Sequence, residues 1–148
     1  MNAAGLLRSV DERGGSPSVE AALMAVLLGV IIMFAIAAGR FVAAESATDQ
    51  AAFAAARAAS MQRDPAAAEA QARAVADRTL HEQGLACSDL TVTVDTSEFS
   101  RPLGTPAVVR ATVRCEVRWS DLAIPGAPGS RAVQAEFASP IDQLRERS

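Results

Sequence analysis

The sequence predicts an α+β protein, in which a long N-terminal apolar helix continues into a further helical segment and packs on a small three-stranded antiparallel sheet. Three observations predict it. An uncharged run of nineteen residues, Ala21 to Gly39, follows a short polar leader. An alanine-rich stretch without glycine or proline then extends to Asp64. Beyond Gly84 the apolar period changes from helical to two in three separate runs divided by turn-rich segments.

Residues 1–18 form the leader, in which Arg8 and Arg13 balance Asp11 and Glu12. Residues 19–39 read as a transmembrane helix. Nineteen residues at about 1.5 Å each span roughly 28 Å, which matches a bilayer's hydrocarbon core. A cleavable secretory signal is the rival reading, with small-residue sites at Ala35-Ile36-Ala37 and Val42-Ala43-Ala44. Its apolar region normally runs about 7 to 15 residues behind a basic start; this run is longer and its leader is charge-balanced. Arginines lie on both sides, Arg8 and Arg13 before and Arg40 and Arg57 after, so the positive-inside count does not set the orientation. The only two cysteines, Cys87 and Cys115, both fall downstream, as expected of one disulfide in an oxidising space. That places the N-terminus in the cytoplasm, the chain as single-pass in the cell membrane, and the C-terminal domain outside.

Residues 40–83 read as an extracytoplasmic helical segment with a break near 64–65. Alanine is the best helix former, and Glu45, Asp49 and Arg57 recur at multiples of four, sharing a face, beside Phe41 and Phe53. Asp64 followed by Pro65 has the pattern of an N-cap and a first helical residue, restarting a helix that runs to about Gln83 and ends at Gly84.

Residues 84–138 form the small antiparallel β domain. Leu90, Val92 and Val94 alternate with Thr91, Thr93 and Asp95 in the first strand. From Val109 to Trp119 one face reads Val109, Ala111, Val113, Cys115, Val117 and Trp119, and the other carries Arg110, Arg114 and Arg118 with Glu116 interleaved. That arginine stripe is either a solvated strand face or a docking surface for a neighbouring subunit. A third strand covers Arg131 to Phe137, with Val133, Ala135 and Phe137 inward. The nearest apolar cover for this sheet is the helical part. Residues 139–148 are a C-terminal tail. A sheet domain this small usually needs a staple. Closing Cys87 to Cys115, 28 positions apart, is worth on the order of 3.5 kcal/mol in the chain-entropy picture; the alternative is two buried free thiols.

The residues offer little for catalysis. His81 is the sole histidine, near Glu82, Cys87, Ser88 and Asp89, but a triad requires convergence in space. It reads better as a polar residue at a helix C-terminus. Two cysteines without a second pair at short spacing do not make a zinc site, and no phosphate-cradling glycine pattern occurs. The reading is a non-enzyme with no cofactor and no metal. All fourteen basic residues are arginine and the net charge is −3, which gives no general affinity for nucleic acid.

Glu20 stands at the threshold of the apolar run. At the bilayer centre a carboxylate would cost about 2.5 to 3.5 kcal/mol on insertion scales, less at the edge, and in a helix's first turn the dipole favours an anion. An interfacial cap is therefore one reading. The spacing suggests another. Cutting the chain after Gly15 would make Ser16 the first residue and Glu20 the fifth, placing a new amino group and a carboxylate in an apolar setting where each needs the other. Paired between subunits, they would favour one axial register.

The stretch from Gly15 and Ser16 through Glu20 into the apolar run resembles the class III signal of type IV pilins and pseudopilins, cut by a prepilin peptidase after the glycine. More narrowly, Glu12 to Leu23, ERGGSPSVEAAL, is similar to the start of TadE-like proteins of the tight-adherence (Flp) pilus system, and Ser139 to Glu146, SPIDQLRE, looks like actinobacterial members. Ser16 and Pro17 depart from the aromatic start common in type IV pilins, and Gly14 offers a second cut. The resemblance implies a pilin-like fold and a minor component at the cell surface that helps assemble a pilus or secretion filament. Its partners would be other pilus subunits, the assembly machinery and the prepilin peptidase. An unprocessed, anchored extracytoplasmic binding module is the alternative.

Overall fold

The computed structural model describes residues 17–102, 104–122 and 128–142. Helix α1 runs Pro17–Ser60 and α2 Pro65–Glu82; the strands are β1 Asp89–Asp95, β2 Val108–Arg118 and β3 Ser130–Pro140, with a single 3-10 turn, Ser97–Ser100, between β1 and β2. The chain divides into two compact units, one ending at Phe34 and the other beginning at Ala35.

In the first unit the described chain is α1 alone. Pro17 opens the helix, where its missing N–H costs nothing, and no residue before Gly29 interrupts it. Every side chain from Ser18 to Phe34 is exposed.

The second unit is an α+β sandwich of two layers. Its antiparallel sheet has the order β1-β2-β3, with β2 central. The register pairs Val92 with Val113 and Val113 with Ala135, so the apolar positions of all three strands share one face. That face is covered by alanine. Ala51, Ala55 and Ala59 of α1 and Ala68, Ala72 and Ala76 of α2 are buried in one cluster with Leu80, Val109, Ala111 and Val113. Spacings of four place each set on one side of its helix. The one-carbon side chains let backbone approach sheet closely, so a dense core forms from small residues.

The junctions follow from local chemistry. Asp64 caps α2, its side chain accepting from the Ala67 N–H at 2.8 Å. At the other end Gly84 takes a left-handed φ of 72°. The Leu85 N–H donates to the Leu80 carbonyl and the Gly84 N–H to that of His81, both at 3.0 Å, which satisfies carbonyls the helix leaves open. Cys87 and Cys115 are joined in a disulfide that ties the segment after α2 to the central strand.

Three details differ from the sequence reading. Phe137 lies on the inward face of β3 but remains 40% exposed, because β3 is an outer strand and the partner ring of Phe53 is itself 47% exposed. The two rings meet edge to face, with centroids 4.7 Å apart. Trp119 is not the last inward residue of β2, which ends at Arg118. It sits half-buried in the turn beyond. Finally, β3 continues to Pro140, past the boundary at 138. Buried Ser139 donates to the Ser60 hydroxyl at 3.1 Å and the Ile141 N–H donates to the Ala107 carbonyl at 2.9 Å, so the start of the segment read as a tail belongs to the core.

Candidate functional site

The most unusual surface is the apolar stretch of α1. Twelve large apolar side chains between Val19 and Ile36 are exposed, up to 74% at Phe34. They surround the helix instead of forming one stripe. A soluble helix hides an apolar stripe against its own core; one apolar on all sides belongs in lipid or among other such helices. Among the described residues this is the one helix long and apolar enough to cross a membrane. Gly29 and Gly39 have open space where a side chain would stand, the kind of flat that lets a second helix approach closely.

Glu20 is exposed in the first turn of α1, where the unpaired N–H groups favour a negative charge. It is the only charged residue from Ser18 to Gly39. Gly14, Gly15 and Ser16, the candidate cleavage residues, lie outside the described residues.

On the outer face of the sheet each arginine of the β2 stripe has a carboxylate neighbour. Arg110 meets Glu136 at 3.7 Å, Arg114 meets Glu116 at 3.5 Å and Arg118 meets Asp121 at 3.9 Å. All are well exposed, so each pair is worth roughly 0 to 1 kcal/mol. Thr112 also donates to Glu136 at 3.3 Å. The stripe is thus charge-compensated, which accords with a solvated face. Sequence order displayed Glu116 within the stripe but could not display Glu136, which arrives from the neighbouring strand through register.

The residues near His81 do not form a reactive group. His81 is exposed in the last turn of α2, the Cys87 sulfur is held in the disulfide, and the Ser88 hydroxyl donates to the Glu116 carbonyl at 2.9 Å. Among the described residues no group of three or more histidine, cysteine or acidic side chains is placed to hold a metal ion. Beside Asp95, hydrogen bonds from the Ser97 side chain and then from its backbone N–H, the latter at 3.0 Å, hold the carboxyl below its ordinary range.

A second cluster, unread in the sequence, gathers where β2 ends and β3 begins. Arg40 donates to the Asp121 carbonyl at 3.1 Å, the Arg131 guanidinium stacks 5.1 Å above the Phe41 ring, and Ala44 packs with Cys115, Val117, Leu122 and Val133. Beside it opens a cleft of about 460 Å³ lined by Arg40, Ala44, Gln83, Leu85, Val117 and Leu122 among others. The available signal was the position of Arg40, immediately after the apolar run. Compared with known proteins, the chain matches no family model, no curated protein and no solved structure.

Proposed function

We propose that this chain is a non-enzymatic, single-pass membrane component in the assembly of a pilus or related secretion filament, of the TadE-like, pseudopilin type, with its N-terminus in the cytoplasm and its disulfide-bearing head outside. The observation that carries the reading is Glu20, the lone charge between Ser18 and Gly39 of α1, a stretch whose large apolar side chains are all exposed up to Ile36. A helix of this kind resides in lipid while the subunit waits, and packs among similar helices when it is extracted. In either setting an unpaired carboxylate is costly, and a partner cation on a neighbouring subunit fixes how far one helix slides along the next. One residue of slip displaces the pair by about 1.5 Å. In this reading a prepilin peptidase cuts after Gly15 and the new amino group of Ser16 supplies that cation. The compensated arginine stripe and the small-residue core support a head that is scaffold, with no catalytic task.

Glu20→Ala tests the register role. The variant is expected to insert in membranes as wild type does but to lose most of its co-purification with filament components; equal recovery overturns the role. Intact mass of protein recovered from its native membrane tests processing, with a start at Ser16 expected. Retention of Met1 would instead favour the anchored binding module.

A further inference from the structure

We propose that the outward row of α1 in the head, Glu45, Asp49, Phe53 and Arg57 with Met61 just past the helix end, is a contact surface for a second copy of this chain, met in the same orientation but shifted by eight residues along the helix. This contact rests on α1 spanning a membrane, and it deepens the assembly reading by naming a partner and its axial offset.

All five residues belong to the second unit. Their spacing of four sets them along one side of the helix. Each is exposed, while Ala51, Ala55 and Ala59 on the opposite side are buried in the core. Phe53 and Met61 are about half exposed, and the Phe137 ring that meets Phe53 is open as well. Val42, seven residues before Asp49, extends this open apolar surface toward the apolar run.

The charges on this row differ from those on the sheet. Every arginine of the β2 stripe has a carboxylate neighbour in its own chain. Among the described residues Asp49 and Arg57 make no ion pair through their side chains, although Asp142 lines a shallow cleft together with Arg57. The charged residues of α1 beyond Gly39 are Arg40, Glu45, Asp49 and Arg57, and Arg40 is turned to the Asp121 carbonyl. The row is therefore acidic where it begins and basic near its end.

That order decides how two rows fit. Copies anchored in one membrane leave it in the same direction, so their rows meet in parallel. In register, each charge meets its own like, which repels. A shift of four sets Glu45 against Asp49. A shift of eight, about 12 Å along the axis, sets Asp49 of one copy against Arg57 of the other and Phe53 against Met61, a ring against a thioether. A shift of twelve pairs Glu45 with Arg57 but sets Asp49 against Met61. Of these arrangements, the shift of eight alone matches charge with charge and apolar with apolar. An offset contact is heterologous, the class that builds rings or filaments instead of closed pairs.

Ser46 and Ala54 are also eight residues apart and flank the row. Two tagged full-length copies, one with Ser46→Cys and one with Ala54→Cys, are expressed together in the native membrane and treated with a short bismaleimide; Cys87 and Cys115, held in their disulfide, do not react. Cross-linking between the two copies is expected to exceed that between two copies of Ser46→Cys. Asp49→Arg in both copies, or Arg57→Asp in both, is expected to lower the product roughly five-fold, and both reversals together to restore it. A dominant product between two Ser46→Cys copies overturns the proposal, as does a product unmoved by single reversals or a double reversal no better than either single one. Failure of the cross-link while Glu20→Ala still loses filament components removes this contact and leaves the assembly reading, whereas release of the chain by alkaline carbonate removes both.

Discussion

The two halves of α1 invert the usual relation between size and burial. Between Val19 and Phe34 the helix carries leucine, isoleucine, valine, methionine and phenylalanine, and all of them are exposed; between Ala44 and Ala59 it carries mostly alanine, and nearly all of that is buried. Backbone geometry is the same, so the surroundings make the difference. The first half has its apolar surface turned outward, where lipid or a neighbouring helix provides the favourable contact. The second half must lie against a sheet of its own chain, and alanine permits the approach. Each half would fail in the other's place, which suggests where substitutions should act.

The largest effect is expected from charging the outward half. Leu27→Arg with Ile31→Arg places two cations near the middle of the span at about 2.5 to 3.5 kcal/mol each; the protein should be lost from the carbonate-resistant membrane fraction while Cys87 and Cys115 still pair. Next comes the staple of the inward half. Replacing both cysteines by alanine should lower the head's stability by on the order of 3 kcal/mol in denaturant, with membrane retention unchanged. An alanine-built core has little apolar area in reserve, so this loss should bring the head close to unfolding at ordinary temperature.

A smaller and sharper test exchanges the logic of the two halves. Ala55→Leu overfills a fully buried site and should destabilise the head by about 1 to 3 kcal/mol, whereas Leu27→Ala should leave the head's melting temperature unmoved. Equal sensitivity would break the comparison.

The smallest effect is one of pH. Ser97 holds the Asp95 carboxyl below its ordinary value. A folded value lower than the unfolded one contributes stability that is present above about pH 4 and lost as pH falls through the folded value. The stability advantage of wild type over Asp95→Asn should therefore shrink below about pH 4 in denaturant titrations. It should be slight, because the group is exposed.

Much of this was legible in order along the chain. The break at Asp64 and Pro65 and the strands around Val92, Val113 and Val133 are local patterns of capping, fixed dihedrals and alternation, and they occur where those patterns place them. Glu20 was legible because a charge beside an apolar run stands out without any fold. The exposure of Phe137 was not legible, because alternation names a face but not how far the cover extends over it. Glu136 and Asp121, the partners of Arg110 and Arg118, went unseen because register and turn geometry bring them close.

By itself the sequence determined what depends on neighbours along the chain: the apolar helix, its acidic opening, the restart at Pro65, the strand periodicity and the supply of two cysteines. Tertiary structure alone decided which alanines became core, that β2 is central, that Ser139 bonds Ser60, and that Arg40, Trp119 and Arg131 meet at one end of the head. The physical reason is that hydrogen-bonded and steric preferences act over a few residues and can be read locally, whereas burial and charge pairing depend on surfaces that come together only when the chain closes on itself.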